Sequence, residues 1–289
     1  MSRAGPVWRL RGNTTPLNPA FDVRPVSPRI GAEIAGIDLA ALLSASVAAA
    51  LRTALWAHKV LFFRDQSLGD AEHETLARSL GSLMPYALHG GGGALLEMNA
   101  AHGGKADVWH TDSTFLAEPP LIAVLRAVVV PPVGGDTLWA NTAAACAGLP
   151  DALRAAADRL TATHSNNYDF AGSRPGIDAA TAERYAARFV AAQVHRTRPP
   201  VVRPHPVTGE ACLFLGRFIT GIEGWAAAET RAVLGALQAH VERPENTVRW
   251  RWRAGDIAIW DNAATQHYAL NDYGDAQRIM KRATIGAIA

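Results

Sequence analysis

A histidine and an aspartate two residues apart, within Asp107-Val-Trp-His110-Thr-Asp112-Ser-Thr-Phe115, form the most chemically informative pattern in the chain. Along an extended strand, positions i and i+2 project from the same face. His110 and Asp112 would then present an imidazole and a carboxylate side by side, two thirds of a facial metal triad. The leading candidate for the third ligand is His267, 157 residues further on in Trp260-Asp-Asn-Ala-Ala-Thr-Gln-His267-Tyr268. Two histidines and one carboxylate on one face of an octahedron leave its other positions open. Non-haem iron(II) oxygenases need that arrangement, because a co-substrate and dioxygen must both reach the metal. A structural zinc site is instead closed, tetrahedral and usually rich in thiolate. His-x-Asp also occurs in many strands that bind nothing. Five other histidines, His58, His73, His102, His195 and His240, sit in helical, loop or polar surroundings and are expected to be solvated.

The residues after His267 strengthen the metal reading. Arg278-Ile-Met-Lys-Arg282-Ala-Thr-Ile reads as a strand, with Arg278 and Arg282 on one face, roughly 13 Å apart at strand rise. If that face points into a barrel, two cations are buried, and a buried cation without a partner is costly. Anionic ligands inside the barrel would resolve the cost, since Arg forms forked, charge-assisted pairs with carboxylate or sulfonate oxygens. The competing reading is an edge strand whose Arg and Lys heads lie in water.

The elements that must position these groups are mostly short strands. Strand-like runs cover Leu95–Met98, Val108–Asp112, Ile122–Val130, Asp136–Trp139 and Leu160–His164, and then Val201–Arg203, Ala211–Leu215, Thr247–Trp252, Asp256–Trp260 and Arg278–Ile285. Val60-Leu-Phe-Phe63 reads as a buried strand. Helical spacing marks Ser44–Lys59, Asp70–Leu80, Asp178–Ala192 and Ala226–Val241. Many strands with few crossover helices disfavour a doubly wound parallel sheet and favour a mainly β, two-sheet jelly roll with helical insertions. Residues 1–20, rich in Pro, Asn and Thr, read as a lead-in, and 21–289 as one domain. His89 to Gly93 (HGGGG) lacks the Lys-Ser/Thr of a phosphate-binding loop.

Composition narrows the field. In 289 residues, 49% are hydrophobic and 19% charged, which excludes a disordered polyelectrolyte and supplies ample core. The formal net charge of +2 gives no basic excess of the kind that nucleic acid or a membrane surface attracts. Two cysteines, Cys146 and Cys212, lack metal-ribbon spacing and suit a reducing compartment. The N-terminal segment has no apolar run of secretory type, and no stretch approaches the roughly 20 apolar residues of a membrane helix. A cytoplasmic protein, assembled as a homo-oligomer (dimer or tetramer), is the expectation.

Taken together, WHTDSTF (109–115), GGDTLWAN (134–141), RWRWRAGDIAIWDN (249–262), TQHYAL (265–270) and RIMKRATIG (278–286) resemble the TauD/TfdA family, taurine dioxygenase-like oxygenases dependent on iron(II) and 2-oxoglutarate. The likeness runs from about Arg24 to Ala287, and five ordered motifs make it specific. It implies a double-stranded β-helix (jelly roll) with Fe(2+) held by His110, Asp112 and His267. It also implies 2-oxoglutarate as co-substrate, its distal carboxylate bound by Arg278 and Thr137, and O2 as oxidant. Arg282 matches the position that grips the anionic head of sulfonates and sulfates, and Phe170 and Phe218 the aromatic walls around a short alkyl chain. One departure stands out. The loop after Gly81 places Tyr86 where taurine-type enzymes supply a histidine, with His89 three residues on.

Three readings stay open for a small anionic organic substrate or none. The first is hydroxylation of an organosulfonate or alkyl sulfate ester, whose product collapses to an aldehyde with sulfite or sulfate. The second is a carboxylate substrate, an aryloxyalkanoate or an amino-acid derivative, which the Tyr86 departure favours. The third is a metal-binding jelly roll without oxygenase activity, for which an intact co-substrate clamp has no purpose.

Overall fold

The computed structural model describes residues 20–84, 93–99, 106–166, 179 and 194–288. In chain order the first strands are β1 (Asp22–Pro25), β2 (Ala32–Ala35), β3 (Val60–Phe63), β4 (Leu96–Asn99) and β5 (Ile122–Val129). They are followed by β6 (Thr137–Asn141), β7 (Ala162–Ser165), β8 (Arg196–Thr197), β9 (Val202–Pro204) and β10 (Ala211–Leu213). The last are β11 (Ile219–Ile222), β12 (Thr247–Trp250), β13 (Ile257–Asp261), β14 (Thr265–Ala269) and β15 (Ile279–Ile285). Helices span Ala45–His58 (α1), Asp70–Leu80 (α2), Thr142–Ala147 (α3), Asp151–Ala157 (α4) and Ala227–Val241 (α5). Among the described residues no helix is long and apolar enough to cross a membrane. The proposed helix over 178–192 and, apart from Ala20, the 1–20 lead-in lie outside the described residues.

The larger sheet runs β1-β2-β3-β13-β5-β15-β4, and a smaller one runs β12-β6-β14. Pairing is antiparallel except between β2 and β3. Strand alternation explains why the larger sheet is apolar on both sides. Val60 and Phe62, Ala123 and Leu125, Ala258 and Trp260, and Met280 point inward, against Trp139, Val248 and Trp250 of the smaller sheet. Leu61 and Phe63, Val124, Ile257 and Ile259, and Ala283 and Ile285 point outward, where α1 and α2 cover them with Leu51, Leu55, Leu76 and Leu80. Helix α1 begins where the Ser44 hydroxyl accepts from the Val47 amide, a side-chain N-cap. A third cluster packs α3 and α5 against the β7 and β10 region through Ala145, Cys146, Leu213 and Leu237.

Four sequence expectations are corrected. The run 108–112 is not a strand: His110 makes a single bridge to His267, and Asp112 already lies in a turn, with Ser113 at φ +53°. β14, which carries His267, is a strand that its polar Thr-Gln-His-Tyr sequence hid. β15 lies between β5 and β4, so the edge-strand reading fails, and Arg278 precedes the strand, ahead of a register shift between Ile279 and Met280. His73, expected in solvent, is fully buried, with Nε2 at 3.2 Å from the Val124 carbonyl oxygen.

Candidate metal centre

His110 and His267 are brought together by their own backbones. Each amide donates to the other's carbonyl, at 3.1 and 2.8 Å, so the two rings stand 4.1 Å apart between centroids. The turn after Thr111 then carries Asp112 to them. Its carboxylate lies 3.7 Å from His110 Nε2 and 3.8 Å from His267 Nε2, and all three residues are buried. One ligand atom from each fits within 4.8 Å of the others, with no thiolate in the group. Gly216 makes room for this approach. At φ +121° it lies where a Cβ would meet the His110 Cα at 3.1 Å.

The turn is pinned from the far strand. Asn262 Oδ1 accepts from the Asp112 amide at 3.0 Å, while its Nδ2 donates to the Asp112 carbonyl at 3.2 Å and to Pro120 O at 2.8 Å. The Thr111 hydroxyl donates to Thr265 O at 2.7 Å. Sequence reasoning missed this role of Asn262, although its Trp-Asp-Asn motif was visible.

Electrostatics suit a divalent ion. Burial pushes the His110 imidazole below its ordinary range, and burial followed by neighbouring His110 pushes His267 well below it, so both rings are neutral. The Val108 carbonyl can only accept, so His110 Nδ1, 2.8 Å away, carries the ring proton and Nε2 presents a lone pair toward Asp112. Burial alone would raise the Asp112 carboxyl, but Arg282, then His267 and His110, outweigh it and hold it down to about 2. Two neutral nitrogens and one carboxylate, with no sulfur, are the donors a ferrous ion accepts while keeping positions open.

The arginines stand on adjoining walls. Arg282 sends one Nη1 to both Asp112 oxygens at 2.7 Å, a contact the sequence did not foretell. Arg278 donates from Nε to Gly135 O at 3.0 Å and lies 3.4 Å from Thr137 Oγ1. Gly135, at φ +71°, accommodates this arginine, whose Cδ would stand 3.1 Å from any Cβ there. Burial lowers the Arg278 pKa, and no carboxylate pairs with it among the described residues. In register, His267 lies opposite Trp139, and Thr137 is two residues from Trp139 on the same face. The triad and the Arg278–Thr137 pair therefore share one interior, about 7 Å apart along the strand.

Residues 22–284 match the model of the taurine catabolism dioxygenase TauD, TfdA family. The chain belongs to this family. It is 48% identical over 276 residues to an alpha-ketoglutarate-dependent sulfate ester dioxygenase of Pseudomonas putida, covering 94% of this chain and 91% of that one. It is 43% identical over 269 residues to an alkylsulfatase of Acinetobacter baylyi, covering 92% and 84%. The crystal structure of a taurine dioxygenase from Burkholderia xenovorans superposes with a TM-score of 0.77 at 34% identity, covering 93% and 92%. The TauD/TfdA chain is thus a 2-oxoglutarate-dependent non-haem iron dioxygenase on a jelly roll, using iron(II), 2-oxoglutarate and O2.

Other TauD/TfdA site candidates are placed unevenly. Phe218 is buried with its ring edge-on to His110, 6.4 Å between centroids. Phe115, which sequence reasoning did not single out, meets Phe218 edge-on at 5.0 Å and extends the same aromatic wall. The only signal for it was its place in the His110 motif. Tyr86, His89 and Phe170 lie outside the described residues.

Proposed function

We propose that this TauD/TfdA dioxygenase hydroxylates the carbon bearing the ester oxygen of a small alkyl sulfate. The hydroxylated product, R–CH(OH)–OSO3−, loses sulfate to leave an aldehyde, while 2-oxoglutarate becomes succinate and CO2. The observation that carries this reading is near-full-length likeness to two proteins named for sulfate ester cleavage, at 48% and 43% identity. Iron(II), when bound, supplies the activation of O2 and the oxidation of the C–H bond.

The chain's own part is holding and orientation. His110, Asp112 and His267 hold the ion, their neutral rings and ionised carboxylate needing no proton release. Arg278 and the Thr137 hydroxyl bind the distal carboxylate of 2-oxoglutarate. Arg282, beside Asp112 at the triad, binds the sulfate group through forked, charge-assisted hydrogen bonds to its oxygens. Phe218 and Phe170 are assigned to the alkyl chain, and Tyr86 and His89 remain substrate-binding candidates by their place in the sequence alone. Free, buried thiols at Cys146 and Cys212 support a cytoplasmic setting, and a homo-oligomer belongs to the same reading.

The test is a panel of alkyl sulfates, alkylsulfonates and aryloxyalkanoates with iron(II) and 2-oxoglutarate, measuring succinate together with sulfate, sulfite or phenol. Sulfate release equimolar with succinate is expected from alkyl sulfates. Faster phenol release would favour the second reading, a carboxylate substrate, which rests on Tyr86 standing in the place of a histidine.

A further inference from the structure

Thr137 and Trp252 meet inside the sandwich although 115 residues separate them. The indole Nε1 donates to Thr137 Oγ1 at 2.9 Å, and both residues are buried. A hydroxyl has one proton to give and two lone pairs to receive with, whereas an indole N–H and a guanidinium only donate. Trp252 occupies one lone pair of Oγ1, and Arg278 Nη2 approaches the same oxygen at 3.4 Å. The hydroxyl proton can point at neither, and no acceptor takes it among the described residues. A buried donor without an acceptor is unfavourable, so this arrangement suits an anion arriving from the cavity.

The tryptophan is itself fixed. Thr137 pairs with Trp250 in the β6–β12 register, and the alternation Arg249-Trp-Arg-Trp-Arg253 returns an inward side chain two residues later at Trp252. Its ring packs on Trp139 at 6.1 Å between centroids.

We propose that Trp252 is a positioning residue for the co-substrate clamp. By filling one lone pair of Thr137, it commits that hydroxyl to donate into the cavity, to the distal carboxylate of 2-oxoglutarate. The inference rests on the assignment of Thr137 and Arg278 to that carboxylate. Without the indole N–H the hydroxyl is free to turn away, and the carboxylate loses an aligned donor.

The experiment is calorimetric titration of 2-oxoglutarate into the Mn(II)-loaded full-length protein and its variants. Trp252→Phe raises Kd by about three- to tenfold, the worth of one net hydrogen bond. In the Thr137→Val background the same change has no further effect, and in steady state Trp252→Phe raises KM for 2-oxoglutarate while leaving kcat unchanged. Wild-type affinity in Trp252→Phe, or an equal loss with and without the Thr137 hydroxyl, overturns the inference. Trp252→3-benzothienylalanine keeps the ring shape and removes only the N–H, so it repeats the test should the phenylalanine variant not fold. If Arg278→Ala and Thr137→Val both leave Kd unchanged, the clamp assignment falls and this inference with it.

Discussion

Replacing Asn262 by alanine is expected to damage both the fold and the metal centre, through the turn that holds Asp112. The amide makes three hydrogen bonds at buried positions, two to the Asp112 backbone and one to Pro120 O. Asn262→Ala leaves one N–H and two carbonyls facing a small void. A buried polar group left without its partner costs about 1–3 kcal/mol, and carbonyls relax more readily than an amide. The sum is about 3–5 kcal/mol, a large part of the roughly 5–15 kcal/mol that stabilises a domain. Asn262→Asp is no rescue, because it turns a carboxylate oxygen toward the two carbonyls that Nδ2 now serves. Urea unfolding followed by circular dichroism gives the stability loss, and titration with Mn(II) or Co(II) gives the second readout. Metal affinity is expected to fall at least about tenfold, since the released turn lets Asp112 leave the two histidines. A loss under about 1 kcal/mol with metal binding as in the wild type would refute the argument that Asn262 holds the ligand in place.

Three further outcomes are expected. His110→Ala and Asp112→Ala each abolish metal-dependent succinate formation while the circular dichroism spectrum stays that of a folded chain; retained activity in either rejects the triad. Arg278→Ala raises KM for 2-oxoglutarate and Arg282→Ala raises KM for the primary substrate, each by about ten- to a hundredfold, the worth of a charge-assisted pair; swapped phenotypes reverse the assignment. Burial holds the fully buried His73 and His164 rings down to about 4, against an ordinary 6.5, so the unfolded chain protonates first. Their contribution is complete above about pH 6.5 and is lost as pH falls toward 4, by up to about 3 kcal/mol for each ring. Urea unfolding at pH 7, 6 and 5 tests this, with His164→Gln reducing the slope by about one proton; a flat profile rules it out.

What the sequence made legible follows from which signals are local. β3, β5 and β13 carry apolar residues on both faces, and α2 has acidic residues Asp70 and Glu72 in its first turn, so their existence and nearly their limits could be read. The grouping of His110, Asp112 and His267 was legible because each sits in a short motif, although strand alternation is not what brings the first two together. His110 and Asp112 share a site because the chain leaves a one-residue bridge and turns, not because a strand alternates. Pairings across the chain were not readable. Arg282 finds Asp112 across 170 residues and Asn262 finds it across 150, and neither partner leaves a trace in its neighbours' types. His73 misled because its burial depends on sharing a helix face with Leu76, Ala77 and Leu80, all covered by the sheet.

The charges around the triad argue for two anions rather than one. Asp112 is the only carboxylate of the metal cluster, and Arg282 already leans on it. Arg278 adds a second guanidinium on the neighbouring wall, with no carboxylate paired to it among the described residues. A divalent ion makes this interior more positive still. A dianionic 2-oxoglutarate offsets the ion but leaves the arginine excess, and a low-dielectric interior magnifies what is left over. A monoanionic sulfate ester reduces that remainder, whereas the corresponding free alcohol does not. Discrimination between ester and alcohol would then arise mainly from charge, with the Phe115–Phe218 wall selecting chain length through apolar contact. That division makes a neutral, isosteric substrate analogue the sharpest probe of Arg282: it should bind weakly to the wild type and lose little more when the arginine is removed.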